Sequence, residues 1–466
     1  MSPIGSADNP LRVAIVGAGP TGFYTAERLF KDKGLTVQVD MLERLPVPFG
    51  LVRYGVAPDH QKIKSVTAAF DRIARSPGFR FFGNVEVGRD VTVADLRHYY
   101  HQIVFTTGAQ TDRALNIPGA DLANHHPATD FVAWYNGHPD YRDYQFDLTQ
   151  ESVAVVGVGN VAVDVCRILC RTPEELAQTD IADYALEALR HSRVKTVYMI
   201  GRRGPLQAAF TTPEIKELGE MEDCDTFTLP EEVELDPLSQ AALAQEADRA
   251  TLRKVEIIQQ YSQRQPTGKS RRLFARFLVS PVALFGDESG RVTTMRLVHN
   301  ELYATDSGSL QSRPTDRYET LPVGLVFRSI GYMGVPLPDV PFHAKWGVIL
   351  NQEGRVIDPD SRAPVTGEYT AGWIKRGPSG VIGTNKPDAA ETVTHMLEDV
   401  AQGLVLQPSD PTPESAEAFL RERQPLFFSY ADWQRLDELE MARGQAQGRP
   451  RVKFTSVAEM AAALGR

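Results

Sequence analysis

Short apolar runs, each followed by a segment of helical period, open the chain and recur from its middle. Such alternation predicts βαβ units and parallel sheets rather than hairpins. Residues 11–43 read strand, helix, strand, the second strand being Val37-Gln38-Val39-Asp40-Met41-Leu42-Glu43. A helical segment follows over about residues 61–75, and residues 79–87 and 102–107 read as strands. The alternation restarts with the strand Val153-Ala154-Val155-Val156, a helix that runs on into a second helical pattern at 172–193, and the strand 194–200. Acidic residues mixed with Ala and Leu over 229–256 predict surface helix, and strands return over 277–298 and 325–329. A helix over roughly 384–404, a Pro/Asp-rich linker at 408–414 and a helical tail complete the pattern. In that tail, Ser456 to Glu459 has the spacing of a capping box ahead of Met460.

Both leading strands end in a glycine-rich turn that opens a helix: Gly17-Ala18-Gly19-Pro20-Thr21-Gly22 and Gly157-Val158-Gly159-Asn160-Val161-Ala162. The first glycine makes the turn, the second lets backbone N–H groups approach a pyrophosphate, and the helix N-terminus favours its charge. Two such turns point to two dinucleotides with electrons passing between them. Glu43, 26 residues after Gly17 (43 − 17), ends the second strand where an acid meets an adenosine ribose. The corresponding strand of the second unit ends instead in Gly201-Arg202-Arg203-Gly204-Pro205. Two guanidinium groups match the oxygens of a 2′-phosphate, so this site reads as NADP-selective. Arg202 lies 45 residues after Gly157 (202 − 157), beyond the usual spacing, and the extra helical pattern at 172–193 accounts for the excess. The first site then takes FAD, because a nicotinamide needs a hydride acceptor that can release electrons singly.

Three further segments carry candidate chemistry. Residues 46–60 are too rich in Pro and Gly for a helix or long strand, which marks a functional loop. Gly108 is a point where the chain leaves the first domain, and Gly331-Tyr332-Met333-Gly334 a point of return. Residues 372–385 (Gly-Trp-Ile-Lys-Arg-Gly-Pro-Ser-Gly-Val-Ile-Gly-Thr-Asn) read as a tight turn into a helix whose N-terminal amides would face a flavin's pyrimidine edge. Trp373 would lie against that ring system or pack in the core.

At 466 residues the chain is long for one core and predicts two domains. A net charge of −10 argues against non-specific nucleic-acid binding. No apolar stretch approaches the roughly 18 residues of a membrane span, and residues 1–10 are polar, so a cytoplasmic location is expected. Of the three cysteines, Cys166 and Cys170 lie four apart on one helix and are expected to face a packed interior. The absence of a C-x-x-C removes dithiol chemistry, and three thiolates are too few for a four-cysteine cluster, so any iron–sulfur centre belongs to a partner. No metal site is expected.

Taken together, the motifs resemble those of the adrenodoxin-reductase-like ferredoxin–NADP reductases in their bacterial form. The resemblance covers nearly the whole chain. It rests on the first glycine turn, residues 51–60 (LVRYGVAPDH), 82–85 (FGNV), 157–164 (GVGNVAVD), 201–211 (GRRGPLQAAFT) and 372–385. It implies an α/β fold of two Rossmann-like dinucleotide-binding domains, the NADP domain (109–331) inserted into a discontinuous FAD domain (1–108 and 332–466). FAD contacts are implied at Ala18, Glu43, Leu51, Val87, Trp373, Gly380, Val381 and Ile382, beside the turn residues Gly17, Gly19, Pro20 and Gly22. NADP contacts are implied at Gly159, Asn160, Val161 and Ala162 after Gly157, and at Arg202, Arg203, Glu214 and Gly380. His60 and Glu214 match positions of the active centre. Read locally, Glu214 is also a first-turn helix acid, with Thr212 as cap and Pro213 at the first position. Hydride transfer from nicotinamide to flavin needs no obligatory acid or base, so both residues are expected to position or tune.

The function expected is hydride transfer from NADPH to FAD and then single electrons to a ferredoxin-type iron–sulfur protein. Alternatives are an NADPH oxidase or monooxygenase using the same two sites, and a nucleotide-binding subunit without turnover. A small acidic ferredoxin would need a basic face, and Lys269, Arg271, Arg272 and Arg276 are the densest candidate, read otherwise as a solvated basic turn or an aid to NADP phosphate binding.

Overall fold

The computed structural model describes residues 2–246 and 248–466. Leu11–Val16 is buried along its whole length because it pairs in parallel with Val37–Glu43 on one side and Gln102–Phe105 on the other. Its residues alternate between two cores: Val13 and Ile15 enter one, Ala14 and Val16 the other. That is the packing expected of an apolar run in a sheet covered on both faces. Phe79–Gly83 extends this sheet beyond Val37–Glu43. On the far side, Pro364–Thr370 pairs in parallel with Gln102–Phe105, so a late segment completes a sheet begun at the start of the chain.

The second sheet has six strands, in the order His125–Pro127, Leu325–Arg328, Ser152–Val156, Thr196–Ile200, Arg271–Arg276, Cys224–Phe227. Here too the central strand feeds both faces, Val153 and Val155 to one core, Ala154 and Val156 to another. A three-stranded antiparallel sheet, Val279–Gly286, Val292–Ala304 and Leu310–Pro322, contributes Leu284, Met295, Leu297 and Leu321 to the second of these cores. The result is an α/β fold in which one Rossmann-like domain is inserted into a discontinuous other. The two connections run side by side: Thr111–Asp112 pairs antiparallel with Tyr332–Met333. Arg328 adds a fork to Asp112 at 2.5 and 3.2 Å.

Several elements differ from the sequence reading. The basic segment at 269–276 is not a docking face: Arg271–Arg276 is an interior strand between Thr196–Ile200 and Cys224–Phe227. Arg276 is 5% exposed and binds Glu232 and Glu319, each at 2.7 Å. Arg271 donates to the carbonyls of Cys170, Arg171 and Val194, and Lys269 to that of Met221, which leaves Arg272 alone exposed. Residues 229–256 are not one surface helix. They form Pro230–Val233, Pro237–Glu246 and the start of Arg249–Tyr261, which buries Val255, Ile257, Ile258 and Tyr261. Within the loop 46–60, Leu51–Tyr54 makes a single helical turn. Thr212 is the first residue of the helix Thr212–Leu218, whose N-cap is Thr211 without a side-chain cap bond; the Thr212 hydroxyl donates to Ala250 O instead.

Candidate functional site

The two glycine turns are built alike. Gly17 takes φ +107°, and a Cβ there would stand 2.7 Å from Thr106 O; Gly157 takes φ +140°, and a Cβ would stand 2.1 Å from Ser329 O. Both conformations favour glycine, and both contacts are with backbone, so the turn is sterically closed on its protein side. The second glycine of each turn is the opposite case. A Cβ on Gly19 or Gly159 would meet nothing within 4 Å. Each cradle is thus tight against its own sheet and open where a pyrophosphate would lie, over the first turns of Pro20–Phe30 and Asn160–Cys170. The residues present fit two dinucleotides.

The surroundings of the first cradle hold it rigid. Glu43 accepts the Ala18 N–H at 2.8 Å and the Leu45 N–H at 3.1 Å, and burial pushes its carboxyl pKa up. Phe49 N–H donates to Ala18 O at 2.8 Å, pinning the loop 46–60 to the turn, with half-buried Leu51 two residues on. Val85 N–H donates to Glu43 O at 2.9 Å, which brings buried Val87 alongside. Gly372, φ +78°, packs so closely on Thr21 that a Cβ would stand 2.3 Å from its hydroxyl, and this brings residues 372–383 to the same cradle. Trp373 is half-buried, donates from Nε1 to Ser379 O at 3.1 Å, and has its ring 5.7 Å from that of Tyr332. After Gly380 (φ +78°) and the 55% exposed Val381, the turn Ile382–Thr384 leads into the helix Asn385–Ala401.

At the second cradle, a Cβ on Gly201 would stand 2.7 Å from Val158 Cγ1, so the loop carrying Arg202 and Arg203 closes directly on the glycine turn. Val158 O accepts the N–H groups of Ala209 and Phe210, and Asn160 Oδ1 accepts that of Thr211 at 3.0 Å; Asn160 thereby braces the loop. The helices Pro173–Leu176 and Asp183–Arg190 take up the extra residues between Gly157 and Arg202. Among the described residues no ion pair involves Arg202 or Arg203, and burial together with the neighbouring Arg202 charge pushes the Arg203 pKa down. Such a pair calls for an anion.

His60 and Glu214 come together in a cluster larger than the sequence suggested. His60 donates from Nε2 to Glu217 Oε2 at 2.8 Å and has Nδ1 3.9 Å from Asp164. One ligand-type atom from each of His60, Glu214 and Glu217 lies within 4.8 Å of the others. Burial and the nearby Asp164 charge push the Glu214 pKa up to about 7. Glu217 has its pKa lowered by the bond from His60, while that bond holds the His60 pKa above its ordinary value against burial. Glu217, Asp59 and Arg167 had no place in the sequence reading. A charged residue on the apolar helix Asn160–Cys170, and an acid three positions after Glu214, were the available signals.

Residues 11–203 match the family model described as pyridine nucleotide-disulphide oxidoreductase. The chain is 45% identical over 454 residues to the NADPH-ferredoxin reductase FprA of Mycobacterium leprae, covering 96% of this chain and 97% of the relative. The chain belongs to the NADPH–ferredoxin reductase family. The human mitochondrial NADPH:adrenodoxin oxidoreductase is 43% identical over 466 residues, covering 97% and 92% of the two chains. The solved structure of Mycobacterium tuberculosis FprA in complex with NADPH superposes with a TM-score of 0.92 at 43% identity, covering 98% of this chain and all of that one. Within this reductase family fold, Cys166, Cys170 and Cys224 are all buried and unpaired, so no accessible dithiol stands beside either cradle. Among the described residues, no helix is long and apolar enough to cross a membrane.

Proposed function

We infer that this protein is an FAD-dependent reductase that oxidises NADPH and passes electrons one at a time to a ferredoxin-type iron–sulfur protein. The observation that carries this is the contrast between two like cradles in one chain, a half-buried carboxylate (Glu43) beside the first and, beside the second, an arginine pair (Arg202, Arg203) with no acidic partner among the described residues. The amides after Gly17 and Gly157 bind pyrophosphates, Glu43 takes a ribose hydroxyl, and the arginine pair takes the 2′-phosphate that distinguishes NADPH from NADH. FAD, when bound, supplies a hydride acceptor that releases electrons singly. Trp373 and residues Gly380, Val381 and Ile382 line the approach to the flavin ring. His60, held by Glu217, and Glu214 orient the meeting of the two nucleotides and keep a proton at the domain contact. Close bacterial relatives support a cytoplasmic setting.

The test is an anaerobic absorbance spectrum of the purified protein before and after NADPH, followed by addition of a ferredoxin with cytochrome c as final acceptor. Bleaching of a flavin by NADPH and ferredoxin-dependent cytochrome reduction are expected. Fast oxygen consumption without any acceptor protein would favour an oxidase, and binding of NADPH without bleaching a regulatory subunit.

A further inference from the structure

Residues 58–60 belong to the first domain and meet the helix Asn160–Cys170 of the second at Arg167, which is 0% exposed, and at Asp164, 3.9 Å from His60 Nδ1. Its Nε and Nη2 donate to the two oxygens of Asp59 at 2.6 and 2.9 Å, and Nη2 also donates to Asp164 at 2.7 Å. Nη1 faces Glu214 at 3.5 Å and Glu217 at 3.7 Å. Asp59 accepts a third bond from Arg171 at 2.8 Å, and Glu175 holds Arg171 at 2.6 Å. A guanidinium fork that fills an opposing carboxylate fixes angle as well as distance, which a single charge cannot do. The surrounding groups make this placement consequential. Asp59 and His60 face it from the loop, Asp164 from its own helix, Arg171 from just beyond that helix's end, and Glu214 and Glu217 from Thr212–Leu218. The buried phenol of Tyr135 and the half-buried one of Tyr332 come from the helix Ala128–Tyr135 and the domain crossover.

We propose that Arg167 is the positioning residue of nicotinamide–flavin alignment: by locking Asp59 it holds the loop that carries His60, and with it the first cradle, in register with the second. The inference rests on the reductase reading above and adds a residue that acts through Asp59 and Asp164 rather than on a nucleotide. Arg167→Lys keeps the charge but loses the fork.

The experiment compares FAD-loaded wild type with Arg167→Lys, Arg167→Gln and Asp59→Asn. It measures FAD content, melting temperature, NADP⁺ affinity, the limiting rate of anaerobic flavin bleaching, and the His60 imidazole titration by NMR, assigned with His60→Gln. Arg167→Lys should keep its FAD and NADP⁺ affinity while the limiting rate falls about 10- to 100-fold, the loss expected from misplacement by about an ångström. The His60 titration should move up in Arg167→Gln and down in Asp59→Asn, because the Arg167 charge opposes the imidazolium and the Asp59 charge favours it. A lesion of folding alone would lower FAD content and melting temperature with the rate, and would move His60 in the same direction in both variants. The proposal is overturned by a wild-type limiting rate in Arg167→Lys, by parallel loss of rate and FAD, or by His60 shifts of one sign. If NADPH fails to bleach the wild-type flavin, the reductase reading fails, and the opposed or like His60 shifts still decide whether Arg167 holds the loop.

Discussion

Gly157 and Gly159 stand two residues apart in one turn, yet alanine at each should fail in a different way. At Gly157 the φ of +140° and a Cβ 2.1 Å from Ser329 O leave no room, and the obstructing atom is backbone of the neighbouring strand end. Backbone strain of roughly 1–3 kcal/mol and overpacking of a similar 1–3 kcal/mol set a stability loss of about 2–6 kcal/mol for Gly157→Ala. At Gly159 the φ of −104° suits alanine and its Cβ meets nothing within 4 Å, so the folded protein should not notice the change. The methyl group instead projects into the space through which a pyrophosphate approaches the turn. Losing one charge-assisted bond, about 1.5–3 kcal/mol, weakens binding roughly 10- to 150-fold. Melting temperature and FAD content are measured beside NADP⁺ affinity, read from perturbation of the flavin spectrum. Gly159→Ala should match wild type in the first two and fail in the third, whereas Gly157→Ala should lose stability. Wild-type NADP⁺ affinity in Gly159→Ala, or equal destabilisation by the two variants, would refute the assignment of closed and open sides to this turn.

Arg202→Ala and Arg203→Ala should each cost about tenfold to a hundredfold in NADPH kcat/KM, at roughly 1.5–3 kcal/mol per charged hydrogen bond, and leave NADH almost unchanged; equal losses with both nucleotides would mean a structural role. Glu43→Ala should release FAD on gel filtration, because it removes the proposed ribose acceptor and also frees the Ala18 and Leu45 amides that the carboxylate braces. Flavin set free by heat should be FAD, and finding FMN would sink the first-site assignment. Glu214 has a folded-state pKa of about 7 against 4.5 for a free glutamate, so its contribution to stability is full below pH 4.5 and is lost as pH rises through 7. Between pH 5 and 8, Glu214→Gln should therefore gain stability on wild type in urea unfolding as pH rises; a difference independent of pH would contradict that ionisation.

The two cradles were legible because each is written in adjacent residues. A glycine required by positive φ, a second glycine facing open space and an apolar strand before them need no distant partner. Glu43 and Arg202–Arg203 could be placed for the same reason, Glu43 being the last residue of a strand next to one turn and the arginines following the end of the strand Thr196–Ile200 next to the other. The strand Arg271–Arg276 was hidden by its own charges. Arg276 enters the interior only because Glu232 and Glu319, 44 and 43 residues away in sequence, neutralise it there. The interdomain cluster was hidden more deeply: Asp59 and Arg167 are 108 residues apart, and Arg167 and Glu214 are 47 apart. Charge pairs of this kind leave no periodicity, so the sequence offered His60 and Glu214 but not the arginine between them.

The late closing of the first sheet also bears on how the molecule is made. Thr370 reaches back to Phe105 across 265 residues of chain, and between them lies everything that forms the second sheet. At synthesis rates of about 5–20 residues per second, the edge of Gln102–Phe105 waits roughly 13–50 s for its partner strand. The inserted domain has all six strands of its sheet in hand well before that. During translation the inner domain should therefore mature first, carried on an unfinished outer one whose open strand edge needs protection from pairing with neighbours. The antiparallel contact of Thr111–Asp112 with Tyr332–Met333 then acts as the clasp that returns the emerging chain to the site where it is needed.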